Sequence, residues 1–275
     1  MVTSSSFYRS KELKQVTSAL LACESLLVIG EPGIGKSHFA LKLAEGLVKA
    51  DYPHVVLTMG TQKQTVEAVI KNLGIDPETL EGKRKSIYMM MDDVIDYCKQ
   101  NQTIFIVDDA HRYAPSIRLW LERIMFEALS PVLLLATYPP ARDIFLKLPR
   151  IELIPLADKA IREIMVQRAI ALEVSLNNAQ LAKLQASAGG NPMLAGRVVK
   201  EHYLGIKSEG LDHTQWIDGT PYVMAFLMLF VVVRFIGLGL NNTSLYLLGG
   251  VITTMLGVSR ILIYSLPRKS TRLGK

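Results

Sequence analysis

The eight residues Gly30-Glu31-Pro32-Gly33-Ile34-Gly35-Lys36-Ser37 constrain this chain more than any other feature, because they satisfy the phosphate-binding pattern G-x-x-x-x-G-K-[ST]. Glycines at 30, 33 and 35 let the backbone curl with its N–H groups turned toward an anion, an approach that Cβ atoms would obstruct. In this pattern Lys36 reaches the β- and γ-phosphates of a nucleotide and the Ser37 hydroxyl ligates Mg²⁺. Gly30, Glu31, Pro32, Gly33, Ile34, Gly35, Lys36 and Ser37 are therefore candidate nucleotide-binding residues. The flanks agree with this: Ser25 to Ile29 reads as a buried strand, and Phe39, Ala40, Leu43, Ala44 and Leu47 recur at helical spacing.

A second run, Thr103-Ile104-Phe105-Ile106-Val107-Asp108-Asp109, is too short for a helix and ends in two carboxylates, the form of a Walker B strand. In that role Asp108 holds the Mg²⁺ shell, and Asp109 orients or deprotonates the attacking water. Further strands are predicted at His54 to Met59, Val132 to Thr137 and Ile151 to Ile154. One helix carries Val66, Val69, Ile70 and Leu73 and stops at Gly74; another spans Ser86 to Gln100, with Asp92, Asp93 and Asp96 as a solvated face rather than a metal site. This alternation over residues 11–157 predicts an α/β fold: a mainly parallel sheet covered on both faces, with ligands at the carboxyl ends of its strands.

After Pro155 only helices are predicted. Asp158 is the expected N-cap of a helix burying Ile161, Ile164, Met165, Ala169 and Leu172; a second runs from Asn178 to Ser187; Gly189-Gly190-Asn191-Pro192 opens a third toward Tyr203. The expected organisation is a nucleotide-binding domain at 1–157, a helical lid at 158–206, a polar linker at 207–220, a membrane hairpin at 221–266 and a basic tail at 267–275.

The hairpin rests on two almost wholly apolar stretches, 222–240 and 245–266, which are 19 and 22 residues long. At about 1.5 Å per residue each is long enough to cross a hydrocarbon layer of roughly 30 Å. Each holds one arginine, Arg234 or Arg260, at a cost of about +2.5 to +3.5 kcal/mol at a span centre. The twelve Leu, Ile, Val and Phe residues of the first stretch contribute roughly −4 to −7 kcal/mol, so insertion wins. The two arginines sit at different depths and are expected to snorkel to opposite headgroup layers instead of pairing.

Charge follows the same division. Six of the 31 basic residues and none of the 25 acidic ones lie in 220–275, so the rest of the chain carries 25 of each. The net charge of +6 thus belongs to the apolar end, where Arg268, Lys269, Arg272 and Lys275 read as a positive-inside flank touching anionic lipid, with a nucleic-acid-binding tail as the alternative. Residues 1–10 are polar and lack the apolar core of a signal peptide, which places the nucleotide-binding part in the cytoplasm. Cys23 and Cys98 are too few for a disulfide framework or a zinc site and are expected to be reduced packing residues.

Over about residues 6–204 the chain resembles the P-loop ATPases of the AAA+ and STAND superclass. Phe7-Tyr8-Arg9-Ser10-Lys11-Glu12-Leu13 is similar to the lead-in that packs near the adenine in such proteins, and Asp108-Asp109-Ala110-His111 to the STAND form of Walker B. The resemblance implies that Thr137 is the sensor 1 residue contacting the γ-phosphate or the water, and that Pro192, in Gly190-Asn191-Pro192, lies against the base. It also implies that Arg150 is the arginine finger supplied to a neighbouring subunit, with Arg142 as a second candidate. Two departures stand out: Asp109 replaces the usual glutamate, which implies slow turnover, and Met193 stands where many relatives have a sensor 2 arginine, leaving Arg197 as a weak substitute. His111 is expected to start a helix or to hydrogen-bond, not to act as a base. An ATPase with a C-terminal hairpin also resembles membrane-bound ATPases of bacterial secretion machinery, here without their periplasmic domain.

Together these features predict a membrane-anchored ATPase that uses ATP and Mg²⁺ to switch conformation or self-assembly on an unknown protein client, with membrane lipid and further copies of itself as partners. Two alternatives stay open: a nucleotide-binding scaffold that scarcely hydrolyses, and a DNA-associated helper ATPase, against which the neutral balance of residues 1–219 counts.

Overall fold

Strands in which every residue is apolar can be buried only in a sheet covered on both faces. A computed structural model of the protein describes residues 8–140 and 142–206, together with 235–236, 239–240, 244, 247, 250–251 and 254. Five strands, β1 (Leu26–Gly30), β2 (His54–Leu57), β3 (Ile104–Val107), β4 (Val132–Ala136) and β5 (Arg150–Leu153), form one sheet in the order β2-β3-β4-β1-β5. Every pairing is parallel, with Leu26 opposite Leu133 and Leu27 opposite Arg150. All residues of β3 and β4 are buried, whereas the edge strands β2 and β5 are partly exposed.

Because side chains alternate across a strand, each apolar run feeds two cores. Leu27, Phe105, Val107, Leu134 and Ala136 face one layer, which contains α3 (Gln62–Leu73), α4 (Ile87–Gln100), α5 (Pro115–Glu127) and the short α6 (Ile144–Lys147). Leu26, Val28, Ile104, Ile106, Leu133 and Leu135 face the other, packed by α1 (Ser10–Leu21) and α2 (Lys36–Lys49). Helix α3 starts at a capping box in which Thr61 and Gln64 satisfy one another's backbone N–H groups, and it ends at Gly74 with φ 68°, the left-handed turn glycine permits without strain.

A third core belongs to helices alone. α7 (Asp158–Ala171), α8 (Asn178–Ala188) and α9 (Pro192–Tyr203) bury Ile161, Met165, Leu181, Leu194, Val198 and Val199 against one another. Ala157, not Asp158, occupies the N-cap of α7, and Asp158 is the first helical residue, where its charge complements the helix dipole. α8 and α9 do have side-chain caps, from Asn177 and Asn191.

Asp92, Asp93 and Asp96 pair with Arg123, Lys85 and Lys99 along α4. Cys98 is a buried thiol, but Cys23 is exposed at a turn with φ 64°, so only one of the two cysteines is a packing residue. The chain divides into the units Met1–Gly210 and Leu211–Lys275. The predicted spans at 222–240 and 245–266, with Arg234, Arg260, the linker and the basic tail, lie outside the described residues apart from the few positions given above. Among the described residues no helix is long and apolar enough to cross a membrane.

Candidate functional site

A loop that turns its N–H groups toward an anion must turn its carbonyl oxygens elsewhere, and each of those oxygens then needs a donor. Between β1 and α2, six consecutive carbonyls have one. Lys36 Nζ donates to Gly30 O at 3.1 Å and to Glu31 O at 2.9 Å. Asn191 Nδ2 donates to Pro32 O at 2.8 Å, and the Met193 N–H to Gly33 O at 3.3 Å. Arg9 Nη2 donates to Ile34 O at 3.2 Å, and the Phe39 N–H to Gly35 O at 2.9 Å. In a trans peptide the C=O of one residue and the N–H of the next point in opposite directions, so these bonds aim the N–H groups of Gly33, Gly35 and Lys36 to the other side. The Lys36 and Ser37 N–H groups open α2, where no intrahelical carbonyl is available and the dipole favours an anion.

Two glycines are required here by geometry. Gly35 takes φ 99° at the N-cap of α2, with Pro192 Cγ 3.8 Å from where a Cβ would stand. At Gly33, with φ 77°, a Cβ would come within 2.7 Å of Met193 Cε and 2.9 Å of Asn191 Oδ1. Pro192 therefore lies against the loop, as the first residue of α9.

The carboxylates and Thr137 arrive at the same edge, because β1, β3 and β4 are parallel and adjacent runs end together. The connections leaving β1 and β4 run in opposite directions, which makes this edge a topological switch point. Asp108 Oδ1 accepts from the Asp109 N–H at 2.9 Å. Asp109 has φ 49°, a left-handed conformation that opens a 3₁₀ turn at Ala110–Arg112, and its Oδ2 lies 3.5 Å from Arg112 Nη1. Burial lowers the pKa of the Lys36 ammonium, while Asp109, Asp108 and Glu31 act against that shift, so both β3 carboxylates are felt at the loop lysine. Ser37 is exposed at the start of α2, and Thr137 is half-buried just past β4.

Arg150 stands apart from this group. It is the first residue of β5, opposite Leu27 near the start of β1, and thus sits at the amino edge of the sheet. It is exposed, and its Nη2 donates to Phe145 O at 3.2 Å. Arg142 is exposed on the loop after β4, 3.9 Å from Asp143. Arg197 pairs along its own helix with Glu201 at 3.0 Å.

Two residues matter more than their motifs suggest. Arg9 is 5% exposed and, besides Ile34 O, donates to Ile154 O at 2.8 Å, tying the loop to the end of β5. His111 Nδ1 accepts from the Thr137 N–H at 3.3 Å, which links the turn after β3 to the end of β4 and assigns the ring proton to Nε2. Tyr8 in the lead-in also donates to Glu163 Oε2 of α7 at 2.6 Å.

Residues 21–145 match the sequence profile of a family described as an AAA domain. No curated protein matches the sequence. Among solved structures, a DNA replication initiation factor is similar at 12% identity, over 74% of this chain and 63% of that one, with a TM-score of 0.50. AMPPCP-bound DnaA from Aquifex aeolicus is similar at 14% identity, over 85% and 71%, with a TM-score of 0.48. The Thermotoga maritima RuvB Holliday junction branch migration motor is similar at 18% identity, over 75% and 67%, with a TM-score of 0.43. The chain thus spans about two thirds of the length of these structures, and with the replication initiation factor, at 12% identity, the likeness is one of fold.

Burial lowers the His111 pKa from 6.5, with Lys36 and Arg112 adding to that and Asp109 and Asp108 opposing it. The imidazole is therefore neutral at neutral pH, and the unfolded chain takes up the proton first on acidification. Stability is full above the unfolded value and is lost as the pH falls through the folded one. Wild-type unfolding free energy should drop more steeply than that of His111→Gln between about pH 7.5 and about pH 5.5, as measured by urea titration; parallel curves would show that the ring does not carry this link. The loop and the order of the parallel strands give this part of the chain the arrangement of a P-loop nucleotide-binding fold, and its residues 21–145 are similar to the family described as an AAA domain.

Proposed function

We propose that the protein is a membrane-anchored ATPase that binds ATP with Mg²⁺ at Gly30–Ser37 and uses the nucleotide state to switch its conformation or self-assembly. The observation that carries this reading is the loop whose carbonyls from Gly30 to Gly35 all have donors while two carboxylates and Thr137 stand at the same sheet edge. The Ser37 hydroxyl and Asp108 carboxylate are hard oxygen donors of the type Mg²⁺ takes, and they would hold it. When bound, the ion neutralises charge on the phosphate oxygens.

The chain's own groups do the rest. Lys36 leaves the carbonyls of Gly30 and Glu31 for the β/γ-phosphate oxygens. Asp109 accepts a proton from the attacking water as its oxygen bonds to the γ-phosphorus and the bond to the β–γ bridging oxygen breaks. On this reading Thr137, just past β4, would contact the γ-phosphate or that water, and Pro192, which lies against the loop, would border the nucleotide. The shorter reach of Asp109 compared with glutamate, and the engagement of Arg197 with Glu201, favour slow hydrolysis.

Arg150, at the amino edge of its own sheet, is suited to serve only the site of a neighbouring copy, which supports nucleotide-dependent self-association. The lipid anchor rests on the two apolar stretches. It is supported by Phe235, Ile236, Leu240, Leu247 and Val251, large apolar residues exposed within the second unit. On this reading the domain and the basic tail lie in the cytoplasm, and the neutral charge balance of residues 1–219 speaks for a protein client over nucleic acid.

Lys36→Ala should weaken ATP binding by about 10²-fold or more and abolish phosphate release; unchanged affinity and turnover would refute the site. Asp109→Asn should bind ATP normally yet turn over about 10²- to 10³-fold more slowly, and undiminished phosphate release would dismiss it as the base. In a flotation assay the full chain should rise with anionic vesicles and resist high-salt extraction, whereas recovery in the unbound fraction would remove the anchor.

A further inference from the structure

We infer that Asn191 is a positioning residue of the nucleotide site, holding the phosphate loop in its anion-accepting shape from the N-cap of α9; the inference rests on the ATP-binding reading. Asn191 is a polar side chain that is only 3% exposed. Its two ends are used in different directions. Oδ1 accepts from the Met193 N–H at 3.0 Å and the Leu194 N–H at 3.3 Å, which caps α9. Nδ2 donates across to Pro32 O at 2.8 Å. The partners dictate the orientation of the amide, since a flipped group would set its NH₂ against two N–H donors and its oxygen against a carbonyl.

Helix capping alone does not require this residue. Ser, Thr or Asp would cap α9 as well, but none of them offers an acceptor to the helix and, at the same reach, a donor to the loop. The added function of asparagine is thus the bond to Pro32 O. That bond sets the plane of the Pro32–Gly33 peptide and so the direction of the Gly33 N–H. The neighbouring peptide is held from the same turn, by the Met193 N–H on Gly33 O at 3.3 Å. Close packing leaves little alternative, because Gly33 is in contact with Met193 and Asn191 so tight that not even a Cβ fits between them.

The consequence is a mechanical connection. The loop and the α7–α9 bundle share hydrogen bonds at Pro32 and Gly33, and the bundle is further tied through Leu156 N–H to Gly190 O at 2.8 Å. A nucleotide that fixes the loop amides fixes the start of α9 with them, and by reciprocity a displaced α9 lowers nucleotide affinity by the same factor.

The test uses the intact chain with Asn191→Ser, which keeps a neutral cap acceptor but cannot reach Pro32 O, and Asn191→Ala, which removes both functions. Two measurements are made. Hydrogen exchange of the nucleotide-free protein should speed up in the segment 31–35 of Asn191→Ser while the interior amides of α9 keep wild-type protection. Calorimetric titration with Mg–ATP and Mg–ADP should show the dissociation constants of Asn191→Ser raised about fivefold to tenfold. Wild-type exchange in 31–35, or wild-type affinity for both nucleotides, overturns the positioning role. Loss of α9 protection in Asn191→Ser equal to that in Asn191→Ala also overturns it, by assigning the residue to capping alone. A wild-type chain that binds neither nucleotide overturns the ATP-binding reading itself, an outcome distinct from a variant that fails where the wild type binds.

Discussion

The phosphate loop is an arrangement of peptide planes, and peptide planes stay turned only if something holds their oxygens. A hydrogen bond contributes only about 0.5–1.5 kcal/mol net, yet a buried carbonyl without a donor costs about 1–3 kcal/mol, so the loop's shape is decided by where donors are available. Here they come from three parts of the chain: Arg9 ahead of α1, Lys36 and Phe39 at the start of α2, and, from far along the chain, Asn191 at the N-cap of α9 and Met193 in its first turn. The glycines permit the conformation and the donors select it. This also explains two buried polar side chains, Arg9 and Asn191, that an apolar core would otherwise exclude.

The remaining groups of the site reach the loop by topology. In a wholly parallel sheet every strand delivers its last residues to the same edge, so Asp108, Asp109 and Thr137 meet the loop without any of them being near it in sequence. The same rule removes Arg150, which opens β5 and must lie at the opposite edge. His111 adds a cross-link within the edge, since its ring joins the turn after β3 to the backbone after β4. Asp109 takes a left-handed φ of 49°, a conformation that aspartate adopts more readily than most residues, directly after the strand that brings both carboxylates to this edge.

Much of the fold was legible in the chain because its signals are local. The central strands β1, β3 and β4 are short apolar runs, Gly74 ends α3 where expected, and the switch to helices after Pro155 is written in the loss of alternation. α1, α5 and α6 come in addition to the predicted elements: α1 is largely polar, α5 follows a 3₁₀ turn that hides its start, and α6 has only four residues, too few for a helical period to show. The displaced cap of α7 and the exposure of Cys23 escaped for a related reason, because a cap and a burial are set by neighbours one cannot count along the sequence. Of the site, the loop and the carboxylate pair were legible as motifs, whereas Arg9, His111 and Asn191 act through partners 25, 26 and 159 residues away.

By itself, then, the amino-acid sequence determined the parts: a glycine pattern able to curl, a lysine and a serine beside it, two acids at a strand end, and apolar runs that must be covered on both sides. Those properties follow from side-chain size, charge and period, which every residue carries wherever it is placed. Only the tertiary structure decided which strand ends share an edge, that Arg150 lies at the other one, and which distant donors take the loop's carbonyls. Such choices depend on distances between segments far apart in the chain, and those distances exist only once the sheet has its order and the helices their seats.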